Sequence, residues 1–238
     1  MDKQVLVDIG NTSITVAQYD EGVVMDVHTI PISEYEKLSS LFKGVNQVVL
    51  SSVVPEIDYK LREWGAPLHF VDVHNIPDLR VHLTIPDDVG ADRLVNALAA
   101  YHQFHRDVVI VDSGTALTFC VVTKEGCYEG GLIFPGMKMA STALHQQTAK
   151  IPLIWVDKEE GIIGKNTEEA VKMGLYHGYN MMINGLIQQY RNQLPNLLVI
   201  GTGTGLEVLK ESLDLDDWDP MLQLKGLAIC ADVLNKEH

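Results

Sequence analysis

Val5-Leu6-Val7-Asp8-Ile9-Gly10-Asn11-Thr12-Ser13-Ile14-Thr15-Val16 decides how this chain is read. A short apolar, β-rich run ends in Asp-x-Gly, small polar residues follow, and a second β-rich run begins. The same order returns at Val109-Ile110-Val111-Asp112-Ser113-Gly114-Thr115-Ala116-Leu117-Thr118-Phe119-Cys120-Val121. The apolar runs read as strands and each Asp-x-Gly segment as the tight turn between them. Gly10 and Gly114 tolerate unusual backbone angles and leave room for a ligand beside the chain. Successive turn N–H groups, with Thr and Ser hydroxyls, make an anion-binding concavity. A carboxylate beside that concavity would repel a phosphate unless a cation lies between them. Asp8 and Asp112 therefore read as contacts, through water, to Mg²⁺ or another hard cation. A single turn of this kind is compatible with an ordinary hairpin. Two matching copies 104 positions apart, about one small domain, predict a duplicated α/β domain with nucleotide phosphates clamped between equivalent hairpins.

Composition narrows the class. The chain has 238 residues, 46% of them apolar and 21% charged, which suits a folded protein with a sizeable core and one or two domains. No apolar run approaches the length of a membrane span. Met1-Asp2-Lys3-Gln4 runs straight into a strand without a signal-peptide pattern, so a cytoplasmic location and no membrane partner are expected. Cys120, Cys127 and Cys230 show no metal spacing, and an odd count argues against a disulfide framework. The nine histidines likewise show no ligand spacing and read as solvent-facing or satisfied in the core. A formal charge of −14 argues against a nucleic-acid surface, where affinity comes from cations meeting phosphates. It also gives ATP no general attraction, so an anionic substrate needs local donors and bound cations.

Along the chain, residues 5–30 predict a three-strand meander turning at Asp20-Glu21-Gly22. A helix is expected over 33–43, with Ser33 as N-cap and Glu36 completing a capping box. A buried strand at 45–51 leads to a helix over 56–64 with Pro55 at its first position, then a strand at 68–73. Alternation of this kind implies parallel pairing. Residues 74–90 read as a loop. Leu94 to Tyr101 is helical by propensity, with Leu94, Leu98 and Tyr101 on one face. Asp92 and Arg93 thus fall at a helix N-terminus. Asp92 suits that end as a capping residue, whereas Arg93 opposes the dipole and suggests an anionic partner.

The second half begins near 107. Its hairpin is followed by a strand over 127–133, and Gly130-Gly131 with Pro135-Gly136 implies close approach to a ligand, a facing strand or a partner chain. Helices are expected over 138–148, 167–191, 206–212 and 224–236, with a strand at 197–200. Asn166 or Thr167 caps the longest helix, and Val171, Leu175, Met182 and Leu186 fall near one face of it. Gly174, Gly178 and Gly185 weaken that helix by roughly 1 kcal/mol each relative to alanine. They suggest close packing on another helix or a second subunit. Gly201-Thr202-Gly203-Thr204-Gly205 between strand and helix is neither a P-loop nor a dinucleotide fingerprint.

Seven segments taken together carry a family likeness. They are Asp8-Ile9-Gly10-Asn11-Thr12, Ser51-Ser52-Val53-Val54-Pro55, Gly90-Ala91-Asp92-Arg93, Asp112-x-Gly114-Thr115-Ala116-x-Thr118, Gly130-Gly131-x-Ile133-x-Pro135-Gly136, Gly164-Lys165-Asn166-Thr167, and Asp219-Pro220 with Leu224-Lys225-Gly226-Leu227. In this order and spacing the chain resembles the type III pantothenate kinases of bacteria over nearly its full length. The resemblance implies the acetate and sugar kinase, heat-shock ATPase and actin superfamily: two ribonuclease-H-like domains, here 1–106 and 107–238, related by duplication, with the active site in the cleft between them. It implies ATP-dependent phosphorylation of pantothenate to 4'-phosphopantothenate, the first step of coenzyme A biosynthesis. A homodimer, Mg²⁺ and a monovalent cation (K⁺ or NH4⁺) are implied as well.

Carried over by position, Asp8, Gly10, Asn11, Thr12 and Thr15 would bind ATP phosphate, with Asp8 also reaching Mg²⁺ through water. Thr115 would contact ATP, and Asp112 would hold the monovalent cation. Gly90, Ala91, Asp92 and Arg93 would hold pantothenate, with Asp92 as the base for its primary hydroxyl. Thr167 would add a substrate contact. Leu83 stands where many members carry Tyr, and the 201–205 loop departs from the usual Thr-Gly-Gly. Two alternatives stay open on sequence alone. One is a non-catalytic regulatory relative of the same fold, like the Bvg accessory factors. The other is a kinase of another small hydroxy acid or sugar.

Overall fold

Gln4–Ile9 (β1) is buried along both faces except at Asp8, as a strand flanked on each side by others and covered above and below must be. The computed structural model describes residues 4–236. The expected lead at Met1 to Lys3 lies outside the described residues. β1 turns into Ser13–Asp20 (β2) and on into Val23–Pro31 (β3), as the meander predicts. β1 and β2 are antiparallel with Asp8 opposite Thr15. β2 and β3 are antiparallel with an irregularity between Val16 and Gln18.

The helix expected over 33–43 does not form as one piece. Ile32–Lys37 is a 3-10 helix kinked at Glu34, with Pro31 and not Ser33 at its head and no side-chain cap. Only Leu38–Leu41 (α1) is α-helical. Propensity and a capping-box pattern are weak terms, and Leu38 and Phe42 are placed by their burial in the core. Gln47–Ser52 (β4) follows, then Pro55–Arg62 (α2) with proline at its first turn. Leu68–Phe70 (β5) is shorter than the run predicts. β1, β4 and β5 are parallel, and the sheet order is β3-β2-β1-β4-β5.

The stretch read as loop contains a two-residue strand, Arg80–Val81 (β6), and a 3-10 turn at Pro86–Asp88. Ala91–Phe104 (α3) is buried on most of its circumference, with Tyr101 only half-buried. Val108–Ser113 (β7), Ala116–Val122 (β8) and Cys127–Pro135 (β9) follow, then Met137–Gln147 (α4). Thr167–Gln193 (α5) is the longest helix among the described residues. Its buried residues are Tyr176, Ile183 and Ile187. Val171, Leu175, Met182 and Leu186 flank that stripe, half-buried, so the core face is turned by about one residue from the expected one. Leu198–Thr202 (β10) leads to 3-10 turns at Thr204–Leu206 and Lys210–Ser212 in place of the expected α-helix. A short strand at Asp217–Trp218 (β11) and Leu222–Lys236 (α6) complete the chain. The second sheet has the order β11-β10-β7-β8-β9-β6.

Two compact units emerge, and they are not the sequence halves 1–106 and 107–238. One comprises 1–105, 122–130 and 221–238, and the other 106–121 and 131–220. In the first, Leu6, Val49, Leu94, Leu98, Leu224 and Leu227 share one core. Val5, Val7, Ile9, Leu50 and Ile57 share a second core on the opposite face of the sheet. The α6 backbone meets α3 so closely that a Cβ at Gly226 would lie 2.0 Å from the Val95 carbonyl oxygen. In the second unit Val109, Val111, Phe119, Ile183, Ile187 and Val199 form the core. Gly131 there admits a facing strand, since a Cβ would fall 1.6 Å from the Phe119 carbonyl oxygen.

Candidate active site

Side chains alternate along β1, so Asp8 continues the row of Leu6, whose neighbours Leu94, Val95 and Leu98 belong to α3. Asp8 thus stands at the strand end on the α3 side, across from Thr15 on β2 and Ser51 on β4. The fully buried Ser51 donates its Oγ hydrogen to Asp8 Oδ1 at 2.6 Å. Burial raises the Asp8 carboxyl to about 7, against the Ser51 hydrogen bond that lowers it, and the nearby charge of Asp92 adds to the rise.

Asp92 sits in the first turn of α3, behind Gly90 as N-cap. It is not the capping residue; instead Arg93 N–H donates to Asp92 Oδ1 at 2.8 Å. Burial pushes the Asp92 carboxyl up from its ordinary value, while that backbone bond and the Arg93 charge pull it down. Gly90 is small for a stated reason: a Cβ there would lie 2.4 Å from Asp92 Oδ1. Ala91 is buried against the core. Arg93 extends back over the turn, donating from Nη2 to the Asp88 carbonyl at 3.2 Å. Two carboxylates and a guanidinium therefore share one region of the first unit, beside helix N–H groups that favour an anion.

The β1–β2 turn is closed by Gly10 N–H donating to the Ser13 carbonyl at 3.0 Å. Asn11 and Thr12 lie exposed at its tip. Thr15 is placed further along β2, where its Oγ1 bonds Thr29 Oγ1 at 3.2 Å.

The β7–β8 turn repeats this design in the second unit. β7 has the same burial pattern as β1, with Asp112 at the equivalent partly open position. Gly114 N–H closes the turn on the Ala116 carbonyl at 2.9 Å. Asp112 pairs in register with Thr202 on β10, as Asp8 does with Ser51 on β4. Gly203, at φ +83, packs so tightly that a Cβ would come within 2.4 Å of Asp112 Oδ1. Gly136 lies as closely on the other side of the turn, its N–H donating to the Thr115 carbonyl at 3.0 Å. Thr167 opens α5, exposed, next to Asn166, whose side chain accepts from Glu169 N–H at 2.9 Å.

Ser51 and Gly203 are absent from the residues expected to act, although Ser51 bonds Asp8 in the first unit and Gly203 packs on Asp112 in the second. A serine closing a buried strand was the available signal for the first. The second needs the parallel pairing of β10 with β7, which no local pattern reveals.

The family model for type III pantothenate kinase matches residues 4–189. The chain belongs to the type III pantothenate kinase family. A type III pantothenate kinase from an Exiguobacterium species is 34% identical, covering 94% of this chain and 96% of the relative. Another from Methylacidiphilum infernorum is 31% identical, covering 98% and 89%. Among solved structures, a protein described as a Baf family transcriptional activator from Campylobacter jejuni is similar with a TM-score of 0.66 at 20% identity, covering 98% of this chain and 99% of that one. A ROK family glucokinase from Streptomyces griseus is similar with a TM-score of 0.52 at 13% identity, covering 97% and 98%. At such identities these two structures speak for the fold alone, an α/β architecture of the actin-like ATPase type.

Proposed function

We propose that this type III pantothenate kinase family member transfers phosphate from ATP to the primary hydroxyl of pantothenate, the first committed chemistry of coenzyme A synthesis. The observation that carries the reading is the pair of desolvated carboxylates, Asp8 and Asp92, both raised by burial, with the Asp92 charge raising Asp8 further. Two buried carboxylates this close are unfavourable in a resting fold and suit a site that receives cations and a proton.

Phosphoryl transfer has a loose transition state, so positioning and charge neutralisation supply most of the catalysis. Asp92 orients the substrate hydroxyl and accepts its proton. Arg93 pairs with an anionic group of the substrate, and Gly90 and Ala91 let the substrate approach the backbone. Gly10, Asn11, Thr12 and Thr15 line the hairpin assigned to ATP phosphate. Asp8 fits a Mg²⁺ contact through water because its carboxyl has one hydroxyl donor and a repelling neighbour. When bound, Mg²⁺ neutralises developing phosphate charge. Asp112 and the carbonyl oxygens of its turn suit K⁺, which takes oxygen ligands, or NH4⁺, which donates hydrogen bonds to the same oxygens. Thr115 and Thr167 complete the assignment as nucleotide and substrate contacts.

A homodimer and a cytoplasmic location belong to the same reading. Gly174, Gly178 and Gly185 lie exposed on α5, and a Cβ at any of them would meet nothing within 4 Å. Met181 on the same helix is 63% exposed. The close packing these glycines permit is thus left for a second copy. Among the described residues no helix is long and apolar enough to cross a membrane.

A coupled assay of ADP release, run with pantothenate, with other small alcohols and with neither, tests the activity. Pantothenate-dependent release that stops when divalent cation is chelated is expected. Release indifferent to pantothenate, or none, would overturn the assignment.

A further inference from the structure

We propose that His82, Cys127 and Glu129 form a site for a divalent transition-metal ion of the zinc class. All three belong to the first compact unit, and none takes part in the chemistry assigned above. Their potential ligand atoms lie within 4.8 Å of one another. Forty-five positions separate His82 from Cys127, so spacing conceals the cluster and strand pairing creates it.

The backbone holds the three in place. β6 and β9 are parallel, with Arg80 beside Cys127 and Val81 beside Tyr128. His82 N–H continues the ladder to the Tyr128 carbonyl at 2.9 Å. Cys127 and Glu129 are two apart on one strand and so project to the same face, with His82 alongside. Cys127 is anchored by its N–H to Thr123 Oγ1 at 3.3 Å and by its carbonyl, which accepts from Thr123 N–H at 2.9 Å. Gly130 follows at φ +90, a backbone angle that strains any side chain.

The donor set fits the ion. His82 Nδ1 already faces Glu129 Oε1 at 3.0 Å. Imidazole nitrogen, thiolate sulfur and carboxylate oxygen are the zinc ligand types, and three of them leave a fourth position for water. Ligands around one tetrahedral zinc ion lie about 3.4–3.7 Å apart. The ends of His82 and Glu129, both exposed, close that gap by side-chain rotation. Thiolate and carboxylate together match the charge of a divalent cation. Mg²⁺ has no use for the sulfur, so the site is chemically distinct from the one assigned to Asp8.

Titration of the metal-stripped full chain with Co²⁺ alone tests the site. A thiolate-to-cobalt charge-transfer band is expected, displaced by Zn²⁺. Cys127→Ser should abolish it, although Cys120 and Cys230 remain. His82→Ala and Glu129→Gln should each weaken Co²⁺ binding by at least about tenfold, the lower bound for disturbing even a supporting group. Both alter exposed side chains, so they decide the matter if Cys127→Ser does not fold; circular dichroism checks each variant. Absence of the band in the unmodified chain, its persistence in Cys127→Ser, or undiminished affinity in either of the other two variants overturns the three-ligand site.

Discussion

Ser51 Oγ–H donates to Asp8 Oδ1 at 2.6 Å across the parallel pairing of β4 with β1. This bond is the one influence among those acting on Asp8 that favours its charged form; burial and the Asp92 charge oppose it. Ser51→Ala should therefore move the Asp8 carboxyl further upward. The expected outcome is a severalfold loss of turnover at pH 7 that recovers in more alkaline buffer. An acid limb of the pH–rate profile at the same position as in the unmodified enzyme would refute the role of Ser51.

Asp8 also makes folding stability depend on pH. Its carboxyl stands at about 7 in the fold against 3.8 unperturbed, so the folded state holds the proton more tightly. The contribution is fully present below pH 3.8 and is lost as pH rises through about 7, roughly 4 kcal/mol in all. Asp8→Asn removes this titration and keeps an acceptor for Ser51. Without added metal, the thermal stability of Asp8→Asn minus that of the unmodified protein should grow between about pH 4 and pH 7 and then level off. Turnover of the variant should fall sharply. A pH-independent difference would show that Asp8 is not the titrating group.

Asp92→Asn keeps size and hydrogen-bonding shape but cannot take a proton. Turnover should fall by about 10²-fold or more, while Tm and pantothenate binding stay close to normal. Near-normal turnover would remove Asp92 from its assigned role.

Gly90 has an ordinary backbone for any residue, φ −64 and ψ 142, so Gly90→Ala introduces no backbone strain. Its Cβ would nevertheless displace the Asp92 carboxylate. Loss of turnover with little change in Tm is expected. A parallel loss of both would point to a purely structural glycine.

Gly203 differs on that count. At φ +83 any side chain is strained, and a Cβ would also strike the Ser113 carbonyl at 2.5 Å. Gly203→Ala should lower Tm by at least about 3 °C and weaken activation by K⁺, measured as rate against K⁺ concentration. Unchanged K⁺ dependence would detach Asp112 from the monovalent cation.

Both hairpins, the α3 start and the Asn166 cap were legible because each is set by residues within one turn or one strand pair. What failed was of two kinds. Residues 33–43 and 206–212 carry helix-favouring residues, yet tertiary packing leaves only Leu38–Leu41 α-helical and turns much of the rest into 3-10 turns. β6 and β11, two residues each, are too short to show any period. They exist because a neighbouring strand edge recruits them. Asp8, Asp92 and Asp112 stand out in the sequence as candidates, whereas Ser51 and Gly203 could not be assigned to Asp8 and Asp112 until the pairings of β4 and β10 were known. Cys127 and His82 escaped a search by spacing for the same reason.

Helix α6 has a consequence for how the molecule is made. Leu224 and Leu227 pack in one cluster with Leu6, Leu94 and Leu98, so the scaffold beneath Asp8 and Asp92 stays open to water until α6, which follows α3 by more than a hundred residues, has left the ribosome. β1 is thus sealed long after it is made, and a nascent chain carries Asp8 and Asp92 on an unfinished support.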